Sequence, residues 1–93
     1  MHEMNIKKLD LNLLIALKAL LEEKHVSRAA ERIGLSQPAM SRALAKLRRV
    51  LNDPLLVKGA NGLDLSARAS DLYQPLLNIL SEIHRKRMVK DIF

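Results

Sequence analysis

The stretch from Val26 to Leu51 constrains the fold most, because its residue pattern predicts two short helices joined by a tight turn. Gly34–Ser36 interrupts the helical pattern, and glycine often ends a helix because it tolerates a left-handed backbone. We therefore predict a helix from Arg28 to about Ile33, with Ser27 as its N-cap, and a second helix from Gln37 to about Leu51.

The second of these helices has one apolar edge and one polar, basic edge. Ser36 is its expected N-cap, and Pro38 falls in the first turn, where a missing N–H group costs nothing. At helical spacing, the apolar edge carries Met40, Leu44, Leu47 and Leu51. The opposite edge carries Pro38, Ser41, Arg42, Ala45 and Arg49. The first edge is expected to pack on a core and the second to remain free.

A further helix and a hairpin flank this pair. After a loose lead-in of about nine residues, leucines at helical spacing predict a helix from Leu11 to about Lys24, with Asp10 as its N-cap. Residues 55–58 and 63–66 are β-prone, and the intervening residues 59–62 contain Asn-Gly, a strong turn signal. We therefore predict a short β-hairpin.

The last predicted helix runs from Ala67 to about Arg87, with Ser66 as its N-cap and a kink or local opening at Pro75. It carries two neighbouring apolar stripes. The first is a heptad seam made of Ala69, Leu72, Leu76, Ile79 and Ile83. The second is made of Tyr73, Leu77 and Leu80. One stripe is expected to cover the domain and the other to meet a partner. The residues predicted for that interface are Leu72, Leu76, Ile79, Leu80 and Ile83.

Together these elements predict a mainly α fold. With only two aromatic residues, the core must be built from Leu, Ile, Val, Met and Ala, and abundant leucine and alanine favour helices. The expected architecture is a winged helix-turn-helix, residues 1–66, with a three-helix core and a short β-hairpin wing. A linker or dimerisation helix and a basic tail follow, residues 67–93.

Positive charge is concentrated in the helix-turn-helix segment. Between Lys24 and Arg49 there are seven cations and one acid, Glu31, so this segment carries a net charge equal to the +6 of the whole chain. Such a segment favours nucleic acid as a partner. A second basic cluster, Arg85 to Lys90, could contact an anionic membrane, but a solvated end is favoured because no apolar face accompanies it.

Other classes of function find little support in the residues. The chain has no cysteine, its three histidines are scattered, and its serines and glycines form neither a nucleophile elbow nor a phosphate loop. We therefore expect no enzyme, cofactor or metal. The longest apolar run, Leu13 to Leu17, is too short to cross a bilayer, and no signal peptide is recognisable. A soluble, cytoplasmic protein is the expectation.

The helix-turn-helix requires a small residue, a turn residue and an apolar anchor at fixed positions. Ala30, Gly34 and Met40 supply them. The second helix can then enter a major groove of about 12 Å, where arginine pairs with guanine and glutamine with adenine. The rival interpretation is an ordinary helical hairpin whose polar face is solvated.

Residues 9 to about 83 resemble the N-terminal domain of LysR-type transcriptional regulators. The resemblance lies in LDLNLL (9–14), the Ala29-Ala30 pair within VSRAAERIGLSQPAMSRAL (26–44), and DPLLVKGANGLDLSARA (53–69). It implies a winged helix-turn-helix with a long dimerising linker helix. It also implies that Ser27 and Arg28 contact phosphates, and that the groove is faced by Gln37, Pro38, Ser41 and Arg42.

Two features depart from the family's pattern. The family's wing tip often carries an arginine that enters the minor groove, whereas this chain has Asn61 and Gly62 there, with Lys58 three residues before Asn61. Lys58 is therefore expected to contact phosphate only. Family members also usually carry a larger C-terminal domain that binds an inducer, and these 93 residues are not expected to form one. We therefore expect either an isolated DNA-binding fragment or a naturally short regulator.

These expectations lead to one predicted function. The chain binds double-stranded DNA as a homodimer on a partly palindromic site and regulates transcription. Gln37, Ser41 and Arg42 supply the sequence preference. Phosphate contacts are expected from Ser27, Arg28, Ser36, Lys46, Arg49 and Lys58. The alternative is a helical protein–protein interaction module with only non-specific affinity for DNA.

Overall fold

The structure is a computed structural model that describes residues 10–85. Four helices and one hairpin follow one another in the order α1 Leu11–Glu23, α2 Val26–Ile33, α3 Gln37–Leu51, β1 Leu56–Gly59, β2 Gly62–Leu65 and α4 Ala67–Arg85. This order confirms the mainly α winged helix-turn-helix followed by a long helix. The predicted lead-in, and the part of the basic tail beyond Arg85, lie outside the described residues.

Helix α1 lies at the centre of the fold and packs against α2, α3 and α4. Asp10 is its N-cap as predicted, and the Asp10 side chain accepts a hydrogen bond of 2.8 Å from the N–H of Leu13. Lys24 adopts a left-handed backbone with a φ of 53° and ends the helix. The buried residues of α1 form the middle of the core: Leu13, Ala16, Leu17, Ala19, Leu20 and Leu21.

Helix α2 begins two residues earlier than the sequence predicts, at Val26. His25 is the N-cap, and its Nδ1 accepts a hydrogen bond of 3.1 Å from the N–H of Arg28. The prediction that Ser27 caps this helix is wrong, since Ser27 lies inside the first turn and is exposed. An imidazole nitrogen without a proton can replace the hydroxyl as acceptor, although serine is the commoner cap.

Substitutions at His25 and Ser27 should show which of the two residues caps α2. We expect His25→Ala to lower the free energy of unfolding by about 0.5–2 kcal/mol, because the N–H of Arg28 loses its acceptor. His25→Asn should retain most of the stability, since asparagine is a good cap. Ser27→Ala is the matched control and should change stability by less than about 0.5 kcal/mol. Urea denaturation would measure all three, and a larger loss for Ser27→Ala would restore serine as the cap.

The turn between α2 and α3 forms as predicted. Gly34 is left-handed with a φ of 75°, and the N–H of Leu35 donates to the carbonyl of Ala30 at 2.8 Å. Ser36 caps α3 by accepting from the N–H of Ala39 at 3.2 Å. The predicted inner edge of α3 is confirmed, because its buried residues are Met40, Leu44, Leu47 and Leu51.

The hairpin is confirmed with shifted strand limits. Its two strands pair antiparallel from Leu56↔Leu65 to Gly59↔Gly62, which leaves Ala60 and Asn61 as the turn. The turn is therefore shorter than the predicted residues 59–62.

The residue predicted to begin the first strand, Leu55, lies instead in a tight corner before it. Its φ is 65°, its side chain is fully buried, and the N–H of Leu56 bonds the carbonyl of Pro54 at 2.6 Å across it. This three-residue turn is strained for a side chain other than glycine. The strain is offset by burial of Leu55 and by a hydrogen bond of 2.8 Å from its N–H to Asp53 Oδ2, which also accepts from the hydroxyl of Ser66.

Helix α4 packs on α1 and touches β2. Ser66 caps it as predicted, accepting from the N–H of Ala69 at 3.0 Å. Both predicted apolar stripes contribute to the core: Leu76 is buried, and Leu72, Tyr73 and Leu80 pack against the core from its edge. The helix continues through Pro75, although this residue has no N–H to donate. Half of the Ile79 surface remains exposed.

Glu22, near the end of α1, joins three helices through hydrogen bonds. Oε2 accepts from the hydroxyl of Tyr73 on α4, and Oε1 accepts from Arg32 on α2 and from Lys18 on α1. Burial alone raises the pKa of Glu22, but the bonds from Tyr73, Arg32 and Lys18 outweigh it and lower the pKa from 4.5 to about 2. The same contact with Glu22 raises the pKa of Tyr73 and that of Arg32. The cluster therefore favours an ionised Glu22.

This cluster should make stability depend on pH in acid. Because the folded-state pKa of Glu22 is depressed, its contribution is fully present above about pH 4.5 and is lost as the pH falls towards 2. We expect the stability difference between the native chain and Glu22→Gln to shrink across this window. Glu31→Gln, which makes the same change at an exposed position, is the control. A difference that stays constant from pH 6 to pH 2 would contradict the lowered pKa.

Candidate nucleic-acid interface

The outer edge of α3 forms a free surface that extends about 18 Å from Gln37 to Arg49, at 1.5 Å per residue. The helix contains no acidic residue. Its inner leucines and methionine are held by the core, so the side chains on the opposite edge project away from the domain. Apart from Arg48, seven of them are exposed: Gln37, Pro38, Ser41, Arg42, Ala45, Lys46 and Arg49. We call these seven residues the α3 edge.

The cations of the α3 edge have no ion-pair partner within residues 10–85. This holds for Arg42, Lys46 and Arg49, and also for Lys58 on β1. Arg48 differs from its neighbour Arg49, because its Nε donates to the carbonyl of Pro54 at 2.7 Å and its Nη2 to that of Leu56 at 3.3 Å. Arg48 therefore stabilises the corner before the wing, and the α3 edge keeps three cations available for an anionic ligand.

A groove of about 740 Å³ lies beside the N-terminal end of α3. It brings together five residues that the sequence predicts for the site: Ser27, Arg28, Gln37, Asn61 and Gly62. They come from three separate elements, namely the start of α2, the start of α3 and the tip of the hairpin. Pro38, Ser41 and Arg42 do not line this groove, so the predicted site has two adjoining parts that meet at Gln37.

The groove contains charges of both signs. Arg28 is turned back towards Glu23, with Nη2 3.4 Å from the Glu23 carbonyl oxygen and Nε 3.6 Å from its carboxylate. Lys24 lies 3.8 Å from Asp64 on β2. The two cations of the groove are thus balanced by two acids, whereas the α3 edge carries no acid. Electrostatic attraction for an anionic ligand is therefore concentrated on the α3 edge.

Sequence reasoning did not identify the acids of the groove. Asp64 lies over Gly59, where an added Cβ atom would come within 2.4 Å of Asp64 Oδ2 and would displace this carboxylate. Glu23 holds Arg28 and also Arg32, the latter at 3.2 Å. The signal for Asp64 was its alternation with Leu63 and Leu65 on the hairpin, which indicates a solvent-facing strand position but not its partner.

Two other kinds of site are absent from residues 10–85. These residues contain no group of three or more His, Cys, Asp or Glu side chains that could hold a metal ion. No helix there is both long and apolar enough to span a membrane.

Comparison with known proteins assigns the chain to a family. Residues 11–70 match the sequence profile described as "Bacterial regulatory helix-turn-helix protein, lysR family". The chain belongs to the LysR family. The matched segment begins with α1 and ends in the first turn of α4, so it contains the helix-turn-helix and the wing. The chain therefore holds the winged helix-turn-helix DNA-binding domain of a LysR-family regulator.

Individual proteins of the LysR family are similar over most of this chain. The HTH-type transcriptional regulator SyrM of Rhizobium meliloti (strain 1021) is 49% identical over 81 residues, which are 87% of this chain and 25% of SyrM. The chain thus spans about a quarter of the length of the curated relatives that it matches. A probable transcriptional regulator of Pseudomonas aeruginosa, PA0477, has a crystal structure with a TM-score of 0.79 and 32% identity, covering 87% of this chain and 27% of that one.

A DNA complex is among the similar solved structures. The DNA-binding domain of BenM, crystallised with the benA site 1 DNA, has a TM-score of 0.77 and 27% identity. The alignment covers 90% of this chain and 96% of the BenM chain. The similarity therefore extends over the whole of a DNA-binding domain that has been crystallised with DNA.

Proposed function

We propose that this chain binds specific sites in double-stranded DNA as a homodimer and regulates transcription at those sites. The observation that carries the proposal is the α3 edge, which exposes three unpartnered cations and a glutamine on one helix without any acid, as described for residues 10–85. Further support comes from SyrM, which is named as a transcriptional regulator, and from the crystallised complex of the BenM domain with DNA.

Base recognition is assigned to the N-terminal half of α3. Gln37 lies in the first turn of its exposed edge and Ser41 and Arg42 lie in the second, where they can reach base edges when the helix enters a major groove. A glutamine amide pairs with adenine, and a guanidinium pairs with the two acceptors of guanine. Pro38, between them, offers an apolar surface that suits a thymine methyl group. These side chains would discriminate between sites.

Phosphate contacts would supply most of the raw affinity. Lys46, Arg49 and Lys58 have no acid partner within residues 10–85, so their charge is available to displace counterions. Ser27 and Ser36 lie at the starts of α2 and α3, where the N–H groups of a helix can bind a phosphate. Arg28 would have to give up its contacts with Glu23 before it could bind a phosphate. We therefore assign it a smaller share than the lysines.

Selection of bound sequences from random DNA at about 50 mM and 200 mM salt tests this function. A shared sequence should emerge at both concentrations, and affinity for it should fall steeply between them because counterions are released. Binding without a shared sequence would leave a basic dimerisation module as the better description.

The partner contact is assigned to the outer side of α4. Ile79 lies at its centre with half of its surface exposed, and Leu72, Leu80 and Ile83 border it as partly exposed residues. Leu76 is buried within the single chain, so it supports this surface from beneath. Pairing two such helices would hold two α3 edges at a fixed separation, as a partly palindromic site requires.

Ile79→Asp should separate the dimer without unfolding the domain. The new charge would be placed in the apolar contact between the chains, whereas the core of each chain does not depend on Ile79. We expect a monomeric mass by light scattering and an unchanged helical circular dichroism spectrum. Ser81→Asp, on an exposed position of the same helix, is the control and should remain dimeric. If the Ile79→Asp variant remains dimeric, the dimer interface does not depend on Ile79.

A further inference from the structure

Helix α4 and the helix-turn-helix are connected mainly through α1. Helix α4 packs on α1 and touches β2, while α2 and α3 pack on the rest of α1. Any change in the angle between α4 and α3 must therefore occur at the α1–α4 contact or at the contacts of α1 with α2 and α3. Packing of side-chain ridges into grooves restricts the angle between two helices to a few values, each with a scatter of about 15–20°. Directional contacts can narrow this scatter to one angle.

Glu22 supplies such contacts to both sides of α1. One carboxylate oxygen accepts from the hydroxyl of Tyr73 on α4, and the other accepts from Arg32 on α2. Arg32 also donates to Glu23 at 3.2 Å, so its guanidinium is held by two neighbouring carboxylates. A hydrogen bond prefers an angle above about 150° and weakens steeply below about 120°, so these bonds limit how far either helix can rotate about α1. We call Glu22, Arg32 and Tyr73 the α1 clamp.

We propose that Glu22 is a positioning residue: by bonding α4 and α2 at once, it fixes the angle between the dimerisation helix and the helix-turn-helix, and so sets the half-site spacing that the dimer prefers. This inference rests on the proposed function, because half-site spacing has meaning only for a dimer on DNA. It assigns no base contact to the α1 clamp. Glu22 would act on recognition through the placement of α3.

The length of α4 makes the angle matter. From Tyr73 to Arg85 the helix extends about 18 Å at 1.5 Å per residue. A tilt of about 10° at Tyr73 displaces the far end by about 3 Å, which is close to the 3.4 Å rise of one base pair. A dimer whose helices pair along this length would therefore change its preferred spacing by about one base pair for each such tilt. Loss of the Tyr73 hydrogen bond would therefore broaden the range of half-site spacings that the dimer accepts.

The test compares spacing preference in the native chain, Tyr73→Phe and Glu22→Gln. The DNA is the site selected by the native chain, with its half-sites at the selected spacing and with one or two base pairs added or removed, together with a single half-site. Tyr73→Phe deletes only the hydroxyl and keeps the ring in the core. We expect the native chain to lose at least about tenfold in affinity on altered spacings, and both variants to lose less than about threefold.

Binding to the single half-site separates the positioning role of Glu22 from the proposed function of the chain. Both variants should bind it with the same base preference as the native chain, because neither residue contacts DNA in the proposal. If Tyr73→Phe and Glu22→Gln keep the native tenfold discrimination between spacings, the positioning role is refuted while the proposed function stands. A native chain that prefers one half-site sequence but accepts every spacing also refutes it. A native chain without sequence preference refutes the proposed function itself.

Tyrosine absorbance gives an independent check that the α1 clamp forms in solution. Tyr73 is the only tyrosine of the chain, which has no tryptophan, so the ionisation of phenol can be followed without interference. The bond to Glu22 raises the pKa of Tyr73. In Glu22→Gln the ionisation should therefore move to lower pH. An identical titration in the two proteins would show that the hydroxyl does not bond the carboxylate, and the positioning role would fail with it.

Discussion

Arg42→Ala is expected to weaken binding to the selected DNA site by about 1–3 kcal/mol, or roughly 5- to 150-fold. Arg42 is exposed in the second turn of α3 and has no ion-pair partner within residues 10–85, so its guanidinium is free to bond a base. Its removal should also relax the preference at one base pair of each half-site. Competition binding with single-base variants of the site would measure both effects.

Arg49→Ala is the matched control for this prediction. Arg49 lies on the same edge, near the C-terminal end of α3, and it carries the same charge without an ion-pair partner in the described part of the chain. Its loss should weaken all DNA alike and reduce the salt slope by about one. Equal losses for Arg42→Ala on selected and random DNA would assign Arg42 to the phosphates instead.

Asp53→Ala is expected to destabilise the fold by about 2–5 kcal/mol, as two buried or half-buried donors lose one acceptor. Those donors are the N–H of the fully buried Leu55 and the hydroxyl of Ser66, both bonded to Asp53 Oδ2. The positive φ of Leu55 would also lose the contact that holds it. Urea denaturation should show a lower midpoint with an unchanged slope.

The control for this corner keeps an acceptor in place. Asp53→Asn retains one side-chain oxygen that can bond the N–H of Leu55, so it should cost less than half as much as Asp53→Ala. Equal losses for the two variants would mean that the negative charge matters more than the hydrogen bonds. An alanine variant as stable as the native chain would show that Leu55 is held by its burial alone.

Local sequence patterns are sufficient to predict most of the helices. The spacing of Met40, Leu44, Leu47 and Leu51 predicts the buried edge of α3, and each of these residues is buried. The predicted N-caps of α1, α3 and α4 are all confirmed, namely Asp10, Ser36 and Ser66. Periodicity and capping are properties of a few consecutive residues, so they can be recognised without knowing the tertiary structure.

Predictions are wrong where two local solutions compete. Both His25 and Ser27 can accept a hydrogen bond at the start of α2, and the general preference for serine selects the wrong one. Leu55 belongs to an apolar run typical of a strand, and nothing in its side chain signals a positive φ. Its conformation depends on bonds from residues 48, 53 and 66 to the same corner.

Long-range contacts cannot be predicted from spacing. The helical pattern places Tyr73 in an apolar stripe, but its hydroxyl bonds Glu22, 51 residues away in the chain. The division of α4 into a core side and a free side likewise depends on how α4 lies against α1. For the same reason, the heptad pattern groups Leu76 with Ile79, whereas the structure buries the first and exposes half of the second.

The absence of acids from α3 also affects how the domain approaches DNA. Helix α3 carries four cations and no acid, whereas α1, α2 and α4 together carry five cations and five acids, whose charges cancel. This uneven distribution gives the domain an electric dipole whose positive end is α3. The field of DNA exerts a torque on such a dipole and turns α3 forward before contact. At physiological ionic strength the effect is confined to about the last 8 Å of the approach, so salt should slow association as well as weaken binding.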